Sequence, residues 1–200
     1  MSRLNLCWLS ELNMFYNPTA ESAEILSLHL SESHTMTKFK SQQLIFVAGE
    51  GIEGDAHRGQ YVQHRSRWKL NRKAPNLRQV HLIHSELFDE LRSKGFSVGP
   101  GEMGENVTTR GLDVLRLPRN AIIHLGSQVS LQITGLRNPC KQLNALQDGL
   151  MKAVLDRDED DNLIRKAGVM AVVLSSGTVN SNDKIVVELP PKPLEALTPV

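Results

Sequence analysis

The sequence predicts a mainly β fold, a closed or partly open β-barrel with a few short helices on its periphery. Short apolar runs separated by turn residues recur along the chain, which is typical of strands. Only two stretches have apolar residues at helical spacing. The chain of 200 residues is 40% hydrophobic, which is enough for one domain with a sizeable core. Many short strands with few helices favour a sheet that closes on itself.

The first half of the chain supplies three predicted strands and a helix. Strands are expected in AEILSLHLS (23–31) and QLIFVAG (43–49), which mix apolar with polar residues. The stretch RQVHLIHSELFDELRSKG (78–95) predicts a strand that leads into a helix, with Ser85 as its N-cap and Gly95 as its end. The buried face of this helix is expected to comprise Leu87, Phe88 and Leu91.

The second half continues with strands and one further helix. Strands are expected in NVTTRGLDVL (106–115), AIIHLG (121–126), QVSLQITG (128–135), VMAVVL (169–174) and KIVVEL (184–189). After Cys140, apolar residues at helical spacing predict the second helix through Leu143, Leu146, Leu150 and Val154.

The chain is expected to contain an N-terminal extension (1–22), a single domain (23–188) and a proline-rich tail (189–200) that cannot continue a sheet. A net charge of +1 calls for neither a nucleic-acid nor a membrane partner. No apolar run approaches the roughly 18 residues of a membrane span. Two cysteines cannot form a disulfide framework and favour a reducing compartment. We therefore expect a cytoplasmic protein.

Two sequence matches are rejected on physical grounds. GEGIEG (49–54) fits the dinucleotide fingerprint, but no helical pattern follows it and its acidic residues would repel a phosphate. DRDEDD (156–161) has acidic residues at the spacing of a calcium loop, yet it lacks the glycine and the final glutamate of such a loop. No zinc-ligand spacing occurs. We expect neither a nucleotide nor zinc.

Cys140 is the first candidate for chemistry. Pro139 should end the preceding strand, which would display the cysteine rather than pack it. Arg137 and Lys141 place positive charge close by in sequence and would favour a thiolate. Because free cysteine is also among the most buried residue types, an inert packing role stays open.

Three further features are candidates for binding. GPGEMGEN (99–106) forms a tight turn in which Glu105 and Asn106 either bond a ligand or cap the turn. The interval from Arg58 to Arg78 carries seven Lys/Arg and no Asp/Glu, so it is either a phosphate site, a solvated loop or a weak nucleic-acid patch. His57 and His64 are either ligands or structural histidines.

Taken in order, these pieces resemble the MOSC domain, named after the C-terminal domain of the pyridoxal phosphate-linked molybdenum-cofactor sulfurase. The resemblance covers roughly residues 23–188 and is closest to the small stand-alone members. It depends on these motifs: GIEGDAH (51–57), RQVHLI (78–83), GEMGENVTTRGLDVLRLP (101–118), LGSQVSLQITGLRNPCKQL (125–143), RKAGVMAVVLSSGTV (165–179) and NDKIVV (182–187). Where the family usually has a glycine before the aspartate near the last strand, this chain has Asn182.

The resemblance implies a barrel of MOSC type whose functional residue is Cys140, with Arg137 beside it in the catalytic site. Relatives are proposed to carry sulfur on this cysteine as a persulfide, or to use it as a ligand to molybdenum in a pterin cofactor. Some members reduce N-hydroxylated compounds. The implied partners are a small-molecule ligand and either a cysteine-desulfurase-type sulfur donor or an electron-transfer protein. The implied cofactor-binding residues are Gly104, Glu105, Asn106, Asp55, His57, Arg58, Arg78 and Lys141.

Two other functions compete with this one. The domain would be a non-catalytic binding module if the basic segment 58–78 and the barrel mouth merely held an anionic small molecule. A nucleic-acid accessory protein is the weaker alternative, because the near-neutral charge implies no broad basic face.

Overall fold

The computed structural model describes residues 23–64 and 71–200, and these residues form a mainly β structure. The strands are β1 (Glu24–Leu30), β2 (Phe39–Ser41), β3 (Gln43–Val47), β4 (Gly51–Ile52), β5 (Val80–His84), β6 (Val107–Arg110), β7 (Ile122–Leu125), β8 (Val129–Leu136), β9 (Leu155–Arg157), β10 (Leu163–Arg165), β11 (Val169–Ser175), β12 (Gly177–Asn180) and β13 (Ile185–Glu188). The α-helices are α1 (Glu86–Ser93) and α2 (Leu150–Ala153), and 3₁₀ helices cover Val114–Arg116 and Lys141–Ala145.

The largest sheet has eight strands in the order β13-β7-β8-β11-β5-β6-β1-β2. All its pairs are antiparallel except β5 with β6. Smaller sheets have the orders β12-β3-β4 and β10-β9. The backbone N–H of Ile25 donates to Asp183 O at 2.9 Å and links the start of β1 to the turn before β13. No continuous ladder closes the described sheet, so the mainly β prediction is confirmed and the barrel is not.

The core lies between the large sheet and β3, β4 and β12. Strand β8 alternates buried and partly exposed positions along its whole length, as the sequence predicts. Its apolar residues join a cluster that includes Phe46, Ile52 and Val179 from the small sheet. Complete burial of one such side chain is worth about 1.5–3 kcal/mol, so this cluster holds the end of β8 in place.

Helix α1 confirms the predicted strand-to-helix stretch. Leu87, Phe88 and Leu91 are buried, and Gly95 follows the helix with φ +85°. Ser85 occupies the N-cap position without capping, because its hydroxyl bonds Glu86 Oε2 at 3.3 Å instead of a backbone N–H.

The predicted second helix is wrong as a continuous element. A 3₁₀ helix over Lys141–Ala145 is separated from the four-residue α2 by residues 146–149, and Gly149, at the N-cap of α2, has a φ of +79° that interrupts the helix. Leu143, Leu150 and Val154 are nevertheless buried against α1. The apolar spacing therefore marks the correct buried residues, although the backbone between them is irregular.

The tail over 189–200 forms no strand but lies along β8. Arg119 N donates to Glu195 O at 2.8 Å and Leu136 N donates to Thr198 O at 2.9 Å. A single β-bridge joins Leu136 to Pro199. The tail thus covers the end of the strand that leads to Cys140. The N-terminal extension (1–22) lies outside the described residues. Within residues 23–64 and 71–200, no helix has the length and apolar character to cross a bilayer.

Candidate functional site

A cavity of about 160 Å³ lies where β5, β6, β8 and β11 approach the loops after β1 and β4. Two arginines and a lysine bring positive charge to it, and four histidines contribute to its wall. Its lining comprises His34, Thr35, Met36, Lys38, His57, His64, Arg78, His81, Gly104, Asn106, Arg137, Gln142 and Met170.

Cys140 lies beside this cavity. Strand β8 ends at Leu136, and Cys140 itself is extended (φ −129°, ψ 165°) where the 3₁₀ helix begins. The residue is half-buried, and its thiol donates to Oε1 of Gln142 at 3.4 Å. Gln142 lines the cavity whereas Cys140 does not. The strand end therefore displays the thiol next to the cavity, as Pro139 predicts.

Arg137, just after the end of β8, lines the cavity. Its backbone N–H is fixed by Gly168 O at 2.9 Å, and Nη2 contacts Met36 Sδ at 3.6 Å. Nη1 is buried and has no hydrogen-bond partner within residues 23–64 and 71–200. Burial lowers the pKa of Arg137, and its electrostatic interactions with nearby Cys140 and Glu105 oppose that shift. An arginine in a protein stays charged, so its unmatched donor favours an anionic ligand.

Asp55 organises one side of the cavity from beneath. Its buried carboxylate accepts hydrogen bonds from Lys38 Nζ at 2.5 Å and from Asn106 Nδ2 at 2.9 Å, both on Oδ2. Oδ1 accepts from the backbone N–H of His57 at 2.9 Å and lies 3.2 Å from its Nδ1. Burial alone would raise the pKa of Asp55, but the bonds from His57 and the charge of Lys38 hold it well below its usual range.

The GEN turn packs under the same cavity. Gly104 has φ +87°, and a Cβ there would lie 2.9 Å from Met36 O, so only glycine fits. Asn106 bonds Asp55 through Nδ2, and its Oδ1 accepts from His81 N at 3.2 Å. Glu105 is fully buried, where burial raises its pKa, and it accepts bonds from Gly101 N and Thr108 Oγ1.

A family model for the MOSC domain matches residues 69–186, which is more than half of the chain. The chain belongs to the MOSC domain family. Several solved structures are similar to this chain in fold. YuaD from Bacillus subtilis aligns with a TM-score of 0.69 at 21% identity, covering 86% of this chain and 99% of that one. YiiM from Escherichia coli aligns with a TM-score of 0.57 at 17% identity, covering 86% of this chain and 73% of that one. YiiM from Geobacillus stearothermophilus aligns with a TM-score of 0.59 at 19% identity, covering 83% of this chain and 75% of that one. At these identities the likeness shows a shared fold. A comparison with curated proteins returned no match.

Most residues that the sequence assigns to the site of this MOSC domain gather at the cavity. His57, Arg78, Gly104, Asn106 and Arg137 line it. Three others lie behind or beside the lining, namely Asp55, Glu105 and Cys140. Two stand apart. Arg58 bonds Glu50 through Nε at 2.9 Å, and Lys141 is exposed at the start of the 3₁₀ helix. Of the basic interval 58–78, residues 65–70 lie outside the described chain.

Sequence reasoning missed several lining residues of the MOSC cavity. Lys38 and His34 come from the loop between β1 and β2, and His81 comes from β5. The pKa of His81 lies well below its usual value because of burial and the nearby charge of Arg137. The signal that could have revealed the loop is SHTMTK (33–38), a polar stretch between strands that contains a histidine and a lysine. Within the described ranges, no three His, Cys, Asp or Glu residues form a group that could hold a metal ion by themselves.

Proposed function

We propose that this MOSC domain holds a molybdenum-pterin cofactor at the cavity and that Cys140 is the thiolate ligand to the metal. The observation that carries the proposal is Arg137, which lines a cavity rich in basic residues next to the half-buried thiol and whose buried Nη1 has no hydrogen-bond partner among the described residues. Thiolate is a soft ligand suited to a metal of this kind.

The residues present fit such a cofactor in charge. Arg137 and Arg78 would offset the negative charge of its anionic groups, since arginine binds oxyanions through two parallel bonds. Gly104 offers only backbone atoms to the cavity, and Asn106 contributes a polar side chain to its lining. These residues therefore favour an anionic cofactor over a neutral one.

The size of the cavity sets which part of the cofactor it takes. Its volume of about 160 Å³ is below the roughly 300–1,000 Å³ of a typical ligand pocket. We infer that one anionic end of the cofactor enters while the rest lies outside, against the rim that carries Cys140 and Gln142.

The chain itself contributes binding and charge. When bound, the cofactor supplies redox chemistry at its metal, which suits reduction of N-hydroxylated compounds. Two cysteines cannot build an iron–sulfur cluster, so the electrons would come from an electron-transfer partner outside these 200 residues. Arg137 stays charged and would stabilise negative charge that develops on a substrate in the cavity.

Sulfur carriage on Cys140 is the second candidate, and the position of the thiol favours it. The sulfur is half-buried at a strand end and outside the cavity lining, where a second protein can reach it. Its thiolate would attack the terminal sulfur of a cysteine-desulfurase persulfide, forming a new S–S bond while the donor's cysteine thiolate leaves. Both candidates use the same atom.

The proposal is tested by purifying the chain and its Cys140→Ala variant from molybdenum-replete cells and measuring metal, pterin and intact mass. We expect metal and pterin in stoichiometric amount in the unmodified chain and loss of the metal in the variant. Cys7→Ala, at the only other cysteine, is the matched control and should keep the metal.

Other outcomes of this experiment separate the alternatives. A mass increase of one sulfur that Cys140→Ala removes, without metal, identifies the carrier. Anion binding that is unchanged in Cys140→Ala, with neither metal nor added sulfur, identifies a non-catalytic binding module and contradicts the proposal.

A further inference from the structure

We propose that an oxyanion and a proton enter the cavity together, and that the proton is taken up by Nε2 of His57. This inference rests on the proposed function only in taking the cavity as an anion site. It assigns to His57 the role of a proton carrier for that site.

The hydrogen bonds of His57 fix which of its nitrogens bears the proton when the ring is neutral. Nδ1 lies 3.2 Å from Oδ1 of Asp55, a carboxylate oxygen that can only accept. The neutral ring therefore carries its hydrogen on Nδ1, and Nε2 presents a lone pair. None of the described residues forms a hydrogen bond with Nε2, and the ring lines the cavity.

An oxyanion cannot bind against that lone pair. A protonated Nε2 instead donates a charge-assisted hydrogen bond to an anion. Asp55 is already held in place by Lys38 and Asn106, so it can stabilise an imidazolium without moving. The cavity thus has a base that becomes a donor on protonation, together with a buried carboxylate that supports the charged form.

The charges around His57 explain why protonation waits for the anion. Burial lowers the pKa of His57, the hydrogen bond to Asp55 partly restores it, and the charge of Lys38 lowers it further. His34 and His64 lie close, with ring centroids 4.9 and 5.8 Å away. The titratable and charged groups facing this part of the cavity are Asp55, Lys38, His34, His64, Arg78, His81 and Arg137. Glu105 is buried beneath the same wall and acts on Lys38 and Arg137. Because Lys38, Arg78 and Arg137 still outnumber the two carboxylates, an incoming anion is what makes a further positive charge favourable.

The test is calorimetric titration of the full-length chain with molybdate, a divalent anion that does not titrate at pH 7. The chain is purified from cells grown without molybdenum. Binding enthalpies measured at pH 7 in buffers of different ionisation enthalpy give the number of protons taken up. We expect uptake approaching one proton per anion, and affinity that falls about tenfold per pH unit above neutrality, as a linked proton requires.

Variants assign the proton to a residue. His57→Gln should abolish the uptake and weaken binding by about tenfold or more, the loss of one charge-assisted hydrogen bond. His124→Gln, which changes a histidine that bonds Ser130 and Glu188 elsewhere, is the matched control and should behave like the unmodified chain. If His57→Gln does not fold, ¹⁵N NMR of the histidine rings in the unmodified chain should show Nε2 of His57 becoming protonated as molybdate is added.

Three results would overturn this inference: uptake that persists in His57→Gln, molybdate binding without uptake, or no molybdate binding at all. Each leaves the proposed function to be judged separately, by the metal, pterin and mass measurements on Cys140→Ala.

Discussion

Asp55→Asn is expected to lower the free energy of unfolding by about 3–5 kcal/mol, the usual cost of breaking a buried ion pair by removing one partner. The side chains of Lys38 and Asp55 are 3% and 0% exposed, and their polar atoms lie 2.5 Å apart. Without the carboxylate, Lys38 keeps a buried charge that has lost its directly bonded counter-ion. Because His57 and Asn106 bond the same carboxylate, the cavity wall should loosen as well. Urea unfolding measures the change.

The control for this variant is Asp89→Asn, which removes an ion pair with Arg92 whose side chains are 71% and 70% exposed. That change should cost less than about 1 kcal/mol, as exposed pairs do. Adding Lys38→Met to Asp55→Asn should recover part of the loss, because it removes the unpaired charge. If the urea concentration at the unfolding midpoint were the same for Asp55→Asn and for the unmodified chain, this account of the cavity would be contradicted.

Gly168→Ala is expected to destabilise the domain by about 3 kcal/mol or more. Gly168 has φ +90°, and an added Cβ would overlap Leu82 O and lie 2.7 Å from Ile83 Cγ1. A left-handed backbone costs a non-glycine residue about 1–2 kcal/mol, and overpacking adds about 1–3 kcal/mol. Gly168 O also accepts the bond from Arg137 N at 2.9 Å, so a shift here would move the guanidinium. Thermal or urea unfolding checks the result.

Gly95→Ala separates the two contributions. Gly95 has a similar φ of +85° but nothing within 4 Å of an added Cβ. It should show only the backbone cost, about 1–2 kcal/mol. Equal losses at both glycines would mean that the close approach of β11 to β5 does not contribute.

The extent to which the sequence predicts this structure depends on the range of the interactions involved. Alternation in β8 and the apolar face of α1 are local patterns, and the structure confirms both. The prediction of a continuous second helix was wrong because Gly149 adopts a positive φ, which the apolar spacing does not reveal. Closure of the sheet depends on how distant strands meet, and that information is not local.

The same distinction holds for the site. Cys140, Arg137 and the GEN turn could be chosen from their motifs, and Pro139 explains why the thiol lies at a strand end. Lys38 could not be chosen from the sequence, because its role comes from an ion pair with Asp55, which is 17 residues away along the chain. Arg58 was chosen from its motif but does not line the cavity. Its side chain bonds Glu50 instead.

X-ray absorption at the molybdenum edge tests the central claim most directly, because it reads the atoms bound to the metal. The purified chain is compared with Cys140→Ser, which keeps an oxygen where the sulfur was. We expect the variant to lose one sulfur neighbour of molybdenum and to gain one oxygen. A metal with the same sulfur neighbours in both proteins would show that Cys140 is not its ligand.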